Sequence, residues 1–165
     1  MAIPCKCKEQ KSIKRMITNS GLTPMQLKYR FSDFKPSKET AGMLAMVKRY
    51  MTEYPKLFEM PIYSKGMAFT GTVGTGKTML AATIANEFLK QRIPTVFTVT
   101  PTLISELQSA QFDDSLNHKV WKLSTVQVLV FDDLGREKPS EWVRSQYFKI
   151  IDARYSNYMP TLFTS

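Results

Sequence analysis

A chain of 165 residues with 43% hydrophobic content is long enough to bury one substantial core. No apolar run reaches bilayer-spanning length, and Met1-Ala2-Ile3-Pro4-Cys5-Lys6 lacks the apolar stretch of a secretory signal, so the expected setting is cytoplasmic, with no membrane. The net charge is +9, of which +6 falls within residues 1–40, a distribution suited to an anionic partner.

Residues 1–30 read as a basic, partly flexible arm with a short helix near 10–18. Cys5 and Cys7 are the only cysteines. A structural zinc site usually needs four ligands, and His118 stands far away, so these two alone predict no zinc and no disulfide scaffold, as fits a reducing cytosol. Lys11, Lys14, Arg15, Lys28 and Arg30 are candidates to neutralise nucleic-acid phosphates or to dock on a protein partner. Tyr29, Phe31 and Phe34 lie among the last of these charges, where they can stack on bases or fill a core. Ser37 is placed to cap a helix running to Tyr54, with Ala41, Leu44, Ala45, Lys48 and Met51 along one side and Pro55 as its stop.

Gly66 to Thr70 is a short apolar run, the pattern of a buried strand, and Lys77 to Gln91 carries apolar residues at helical spacing. Between them stands Gly71-Thr72-Val73-Gly74-Thr75-Gly76-Lys77-Thr78, which fits the phosphate-binding loop G-x-x-x-x-G-K-[ST]. The pattern arises by chance in a chain this long on the order of 0.5% of the time. Gly71, Gly74 and Gly76 permit the tight turn. The backbone around Val73 and Thr75 then offers successive N–H groups to phosphate oxygens. Lys77 reaches the β- and γ-phosphates, and the Thr78 hydroxyl is offered to Mg²⁺.

Pro94 to Thr100 reads as a second strand, and Thr100-Pro101 as the cap and first residue of a helix through Ser109. Residues 114–124 are expected to be helical with Trp121 buried. Val126 to Phe131 is a β-branched apolar run ending in Asp132-Asp133-Leu134-Gly135, a buried strand delivering carboxylates to its C-terminal edge. Asp132 is the candidate Mg²⁺ ligand, and Asp133 the catalytic candidate that orients or deprotonates the attacking water. Asp133 is one methylene shorter than the Glu that many P-loop ATPases carry there. Its water must sit closer, or the step is slower. Arg136 and Glu137 are candidates to line an ATP-bridged interface. Ser140 caps a helix to Asn157 with Val143, Tyr147, Ile150 and Ile151 as its core face. Arg154 reads either as facing a neighbouring subunit or as a solvent-exposed helix end. Pro160 precedes a last strand, whose Thr164 and Ser165 fall at the nucleotide edge as possible sensors of the γ-phosphate or its water. Strands alternating with helices predict an α/β parallel sheet covered on both faces.

Taken in order, Gly71–Leu80 (GTVGTGKTML), Val130–Gly135 (VFDDLG), Ile151–Tyr155 (IDARY) and Pro160–Ser165 (PTLFTS) resemble the AAA+ core of DnaC/DnaI-type replicative helicase loaders. The related IstB-like transposition ATPases are similar. The resemblance spans roughly residues 30 to 165, and Phe31-Ser32-Asp33-Phe34 looks like the short aromatic motif before that family's first helix. It implies an ATPase of replication initiation that binds a DnaB-type replicative helicase and single-stranded DNA, with ATP hydrolysis as its switch and an ATP-bridged oligomer as its assembly. Family members continue past the last motif with a sensor Asn, an arginine finger and a lid, whereas this sequence stops at Ser165. The expectation is therefore a basic segment over 1–30 and a partial AAA+ core over 31–165 that binds ATP and Mg²⁺, with turnover weakened because an arginine finger supplies much of the rate. Cys5-Lys6-Cys7 resembles half of the zinc segment some loaders carry. Two alternatives stay open: an IstB-like transposition helper acting on duplex DNA, and a nucleotide-gated adaptor that binds ATP without turnover.

Overall fold

Five consecutive buried residues, Val128–Asp132, form the centre of the molecule (β3). A strand this apolar on both faces needs cover on both, which is the environment of a parallel sheet wrapped by helices. The computed structural model describes residues 6–59, 66–113, 115–135 and 138–165. Cys5, Arg136 and Glu137, and the roles expected of them, lie outside the described residues. In chain order the elements are α1 (Lys6–Thr18), α2 (Ala41–Glu59), β1 (Met67–Phe69), α3 (Lys77–Lys90), β2 (Thr95–Val99), α4 (Thr100–Ser109), α5 (Ser115–Thr125), β3, α6 (Glu141–Ser156) and β4 (Thr161–Thr164).

The four strands are parallel and ordered β1-β4-β3-β2. The register pairs Phe69 with Thr164, Phe131 with Phe163, and Val99 with Asp132, so all four C-terminal ends finish at one edge. Alternation along β3 splits the core. Val128 and Val130 face α2 and α3 with Tyr54, Ile84 and Phe88, while Leu129 and Phe131 face α4, α5 and α6 with Leu103, Leu107 and Ile150. No helix among the described residues is long and apolar enough to cross a membrane.

The basic N-terminal segment is packed against this sheet. The Phe97 N–H on the outer edge of β2 donates to the Ser20 carbonyl at 2.6 Å. Gly21 follows at φ +77°, and a Cβ there would stand 2.2 Å from the Phe97 oxygen, so only glycine lets the two backbones approach this closely. Leu22 is buried beside them, and α1 lies on α3 with Ile13, Met16 and Ile17 half-covered.

Several sequence expectations shift. Ser37 does organise the start of α2, its Oγ accepting from the Thr40 N–H at 3.3 Å, but the helix runs through Pro55 to Glu59. A proline inside a helix forfeits one backbone bond, and here it does not end the helix. The inward side of α2 is Val47, Tyr50 and Tyr54, with Met51 packed at its margin, rather than Ala41, Leu44, Ala45 and Lys48. The aromatic rings bury more surface, and Tyr54 packs on Phe88 with centroids 4.4 Å apart. Trp121 is 62% exposed because α5 turns Leu116, Val120 and Leu123 inward instead. On α6, Ile151 is 40% exposed, and the buried row is Val143, Gln146, Ile150 and Arg154. Thr100 belongs to the first turn of α4 rather than capping it; its hydroxyl is buried with no hydrogen-bond partner among the described residues.

Arg154 is neither a subunit contact nor a solvated helix end: it is 1% exposed. Its Nε donates to Thr161 Oγ1 at 2.8 Å, Nη1 to the Leu123 and Val126 carbonyls at 2.9 and 2.7 Å, and Nη2 to the Pro160 carbonyl at 2.6 Å. The planar fork thus joins the end of α5, the approach to β3 and the start of β4. Burial holds its pKa down at about 10. Replacing it with Leu strands the Leu123 and Val126 carbonyls. The expected cost is roughly 3 kcal/mol, read as a fall in Tm of about 10 °C by calorimetry.

Candidate functional site

The phosphate loop follows from β1 ending at Phe69 and α3 beginning at Lys77. Gly74 and Gly76 sit at φ +86° and +85°, conformations that side chains rarely adopt. Gly76 carries a second constraint: a Cβ there would meet Cε2 of Phe34 at 2.6 Å. Phe34, 7% exposed, is thus packed beneath the loop. The first turn of α3 contains no acidic residue, and its unpaired N–H groups face the loop, which suits an anion.

Lys77 is folded onto its own loop. Its Nζ donates to the Gly71 and Thr72 carbonyls at 2.8 Å each and to Thr75 Oγ1 at 3.4 Å. These acceptors hold the ammonium at the mouth of the loop, and an arriving triphosphate offers it anionic oxygens instead.

The carboxylates of β3 arrive from the other side of β4. Asp132 is 4% exposed, and its Oδ1 accepts from Thr164 Oγ1 at 2.6 Å. Asp133 follows at φ +60°, its N–H donating to the same Thr164 hydroxyl at 2.9 Å. The Leu134 N–H donates to the Thr164 carbonyl at 2.7 Å, and the Ser165 N–H to the Phe69 carbonyl at 3.0 Å. Residues at the tip of β4 therefore bond to both neighbouring strands at the nucleotide edge.

Gly71, Gly74, Lys77, Thr78, Asp133 and Thr164 line one cavity of about 380 Å³, with Val73, Gly76 and Ser165 also on its wall. A cleft between α4 and α5 has the same volume, about 380 Å³, but it has no glycine loop to hold phosphate, and its Lys119 is paired with Glu106. Tyr29 enters the wall of the P-loop cavity, although it stands more than forty residues before the loop. Its backbone is held by Asn86 on α3, whose amide donates to the Gln26 and Tyr29 carbonyls at 2.7 and 3.3 Å. Sequence alone offers Tyr29 as a base-stacking residue; no local signal assigns it to this pocket.

Thr78 and Asp132 are hard oxygen donors, the kind Mg²⁺ takes together with phosphate oxygens and water. Among the described residues no group of three or more acidic, His or Cys side chains forms a metal cage. The donor set fits a cation that arrives with its nucleotide.

The basic candidates lie elsewhere. Lys11, Lys14 and Arg15 share the exposed side of α1, and Lys28 is exposed beyond it. Arg30 Nη1 donates to the Leu27 and Tyr29 carbonyls at 2.9 Å each. Arg15 borders a cleft with Lys122, Pro94, Thr95 and Val126, at the N-terminal ends of β2 and β3. This is the opposite edge of the sheet from the phosphate loop.

Residues 63–165 match the family described as IstB-like ATP binding protein. The replicative helicase loader DnaI of Bacillus subtilis is 32% identical over 71% of this chain and 38% of its own length. The replicative helicase loader DnaC of Escherichia coli is 30% identical over 90% of this chain and 60% of its own length. The chain therefore spans less than two thirds of either loader. The crystal structure of DnaI superposes with a TM-score of 0.75 at 32% identity, covering 87% of this chain and 75% of that one. The fold is that of AAA+ P-loop NTPases.

Gly76→Ala both strains the turn and drives a methyl into the Phe34 ring. It is expected to weaken nucleotide binding at least tenfold, by fluorescence titration, while Gly42→Ala, with open space around its Cβ, leaves binding unchanged.

Proposed function

This chain belongs to the IstB-like ATP-binding protein family, and we propose that it acts as a helicase-loader ATPase. On this reading it binds ATP with Mg²⁺ and uses hydrolysis to switch its hold on a DnaB-type replicative helicase and single-stranded DNA. The supporting observation is the meeting of the Gly71–Thr78 loop, Thr78 and Asp133 in one cavity, with Asp132 immediately behind. The loop N–H groups and Lys77 bind and orient the triphosphate, which places the γ-phosphorus for in-line attack by water. Thr78 and Asp132 would hold Mg²⁺, which when bound would neutralise charge on the phosphate oxygens. Asp133 holds the attacking water and takes its proton. Thr164 and Ser165 close the far wall.

The exposed cations Lys11, Lys14, Arg15 and Lys28 are the surface offered to nucleic acid or helicase, within a partner-binding segment over residues 1–30 that precedes the ATP-binding core over 31–165. An ATP-bridged oligomer is the assembly this reading entails. A second reading draws on the same family match: a transposition helper, which a preference for duplex over single-stranded DNA would select.

Lys77→Ala is expected to lower ATP affinity at least tenfold. Asp133→Asn should keep affinity within about twofold while phosphate release falls about 100-fold or more. Turnover unchanged in Asp133→Asn would remove that residue from the chemistry. Wild-type binding with no turnover, even with DNA and helicase present, would make the protein a nucleotide-gated adaptor instead. Replacing Lys11, Lys14 and Arg15 together with Ala should reduce the slope of log affinity against log salt on single-stranded DNA by about 2.

A further inference from the structure

The hydroxyl of Thr164 has two partners whose chemistry fixes its direction. It accepts from the Asp133 N–H at 2.9 Å, so its own proton is the one shared with Asp132 Oδ1 at 2.6 Å. A bond of that length from a hydroxyl to a carboxylate is in the strong, charge-assisted range. Both groups are buried, Thr164 at 2% and Asp132 at 4% exposure, so water competes poorly for either. The same residue's carbonyl accepts from the Leu134 N–H, and its neighbour's N–H reaches Phe69, the last residue of the strand that leads into the phosphate loop. Asp133 stands at φ +60°, in the left-handed region that few non-glycine residues enter and that Asp tolerates better than most.

We propose that Thr164 is a positioning residue for the cation site. Its hydroxyl commits one oxygen of Asp132 to the fold and leaves the other for the metal that accompanies ATP, while its amide-accepting lone pair sets the turn that aims Asp133. This role differs from contact with the γ-phosphate, because the hydroxyl is already engaged by the two aspartates. The inference rests on the ATP-binding reading above.

The test compares wild type, Thr164→Val and Thr164→Ser in the full chain. ATP affinity is titrated with a fluorescent analogue with and without Mg²⁺, and Mn²⁺ binding to the nucleotide complex is followed by electron paramagnetic resonance. Val keeps the shape and removes the hydroxyl. It should bind metal-free ATP within about twofold of wild type and lose about tenfold or more of the Mg²⁺-dependent gain and of Mn²⁺ affinity. Ser keeps the hydroxyl and should restore both. Equal metal dependence in Val and wild type overturns the proposal, and so does a Ser variant as impaired as Val. If Val does not fold, Thr164→Ala, which only removes atoms, takes its place with the same expected loss. Failure of both to fold would make Thr164 a residue of the fold alone and overturn its positioning role. Wild type that binds no ATP overturns the ATP reading and this proposal with it; wild type that binds with an Mg²⁺-dependent gain leaves the reading intact whatever Thr164 does.

Discussion

The position of β4 between β1 and β3 is the constraint on which the nucleotide site depends. The phosphate loop leaves β1 and the acidic pair leaves β3, so the two halves of the site are not neighbours until a strand from the end of the sequence fills the gap. Parallel register then sets depth: Thr164 lies level with Phe69, and its hydroxyl reaches Asp132. One residue slipped along β4 would turn Thr164 to the opposite face of the sheet, because side chains alternate. The carboxylate would lose its buried donor, and burying an unpaired charge is costly.

A second layer of constraint comes from the N-terminal segment. It covers the open edge of β2 through Ser20 and Gly21, lies along α3 through Asn86, and ends with Phe34 packed beneath Gly76. The basic side of α1 and the phosphate loop stand at opposite edges of the sheet, yet both rest on α3 and the segment bound to it. Phe34 sits on the same stretch of backbone that carries Tyr29 into the pocket and, before it, the exposed cations.

Arg154 holds the opposite edge. The end of α5 and the approach to β3 expose the Leu123 and Val126 carbonyls, and a single guanidinium satisfies both while sharing the Pro160 carbonyl with the Leu129 N–H. A lysine has one ammonium and lacks the fork geometry to do the same. In the Arg-Tyr pair late in α6, which resembles a family motif, Arg154 serves as an internal brace while Tyr155 is exposed.

Chemistry written in contiguous residues is legible from the amino-acid order alone. The loop Gly71–Thr78 needs its glycines, lysine and threonine next to one another, and the apolar run into Asp132-Asp133 marks a buried strand wherever it folds; alternating strands and helices then allow little besides a covered parallel sheet. Expectation and fold part where a helix has more than one apolar side to offer. Trp121 and Ile151 point outward, while Tyr54 and Arg154 are buried, because the choice among faces is made by the partner surface and periodicity carries no record of it. The order of strands, the seat of Phe34 under Gly76, the entry of Tyr29 into the pocket and the bond from Thr164 to Asp132 join residues 30 to more than 40 positions apart. Such contacts exist only once the chain has closed on itself, so they belong to packing and not to sequence pattern.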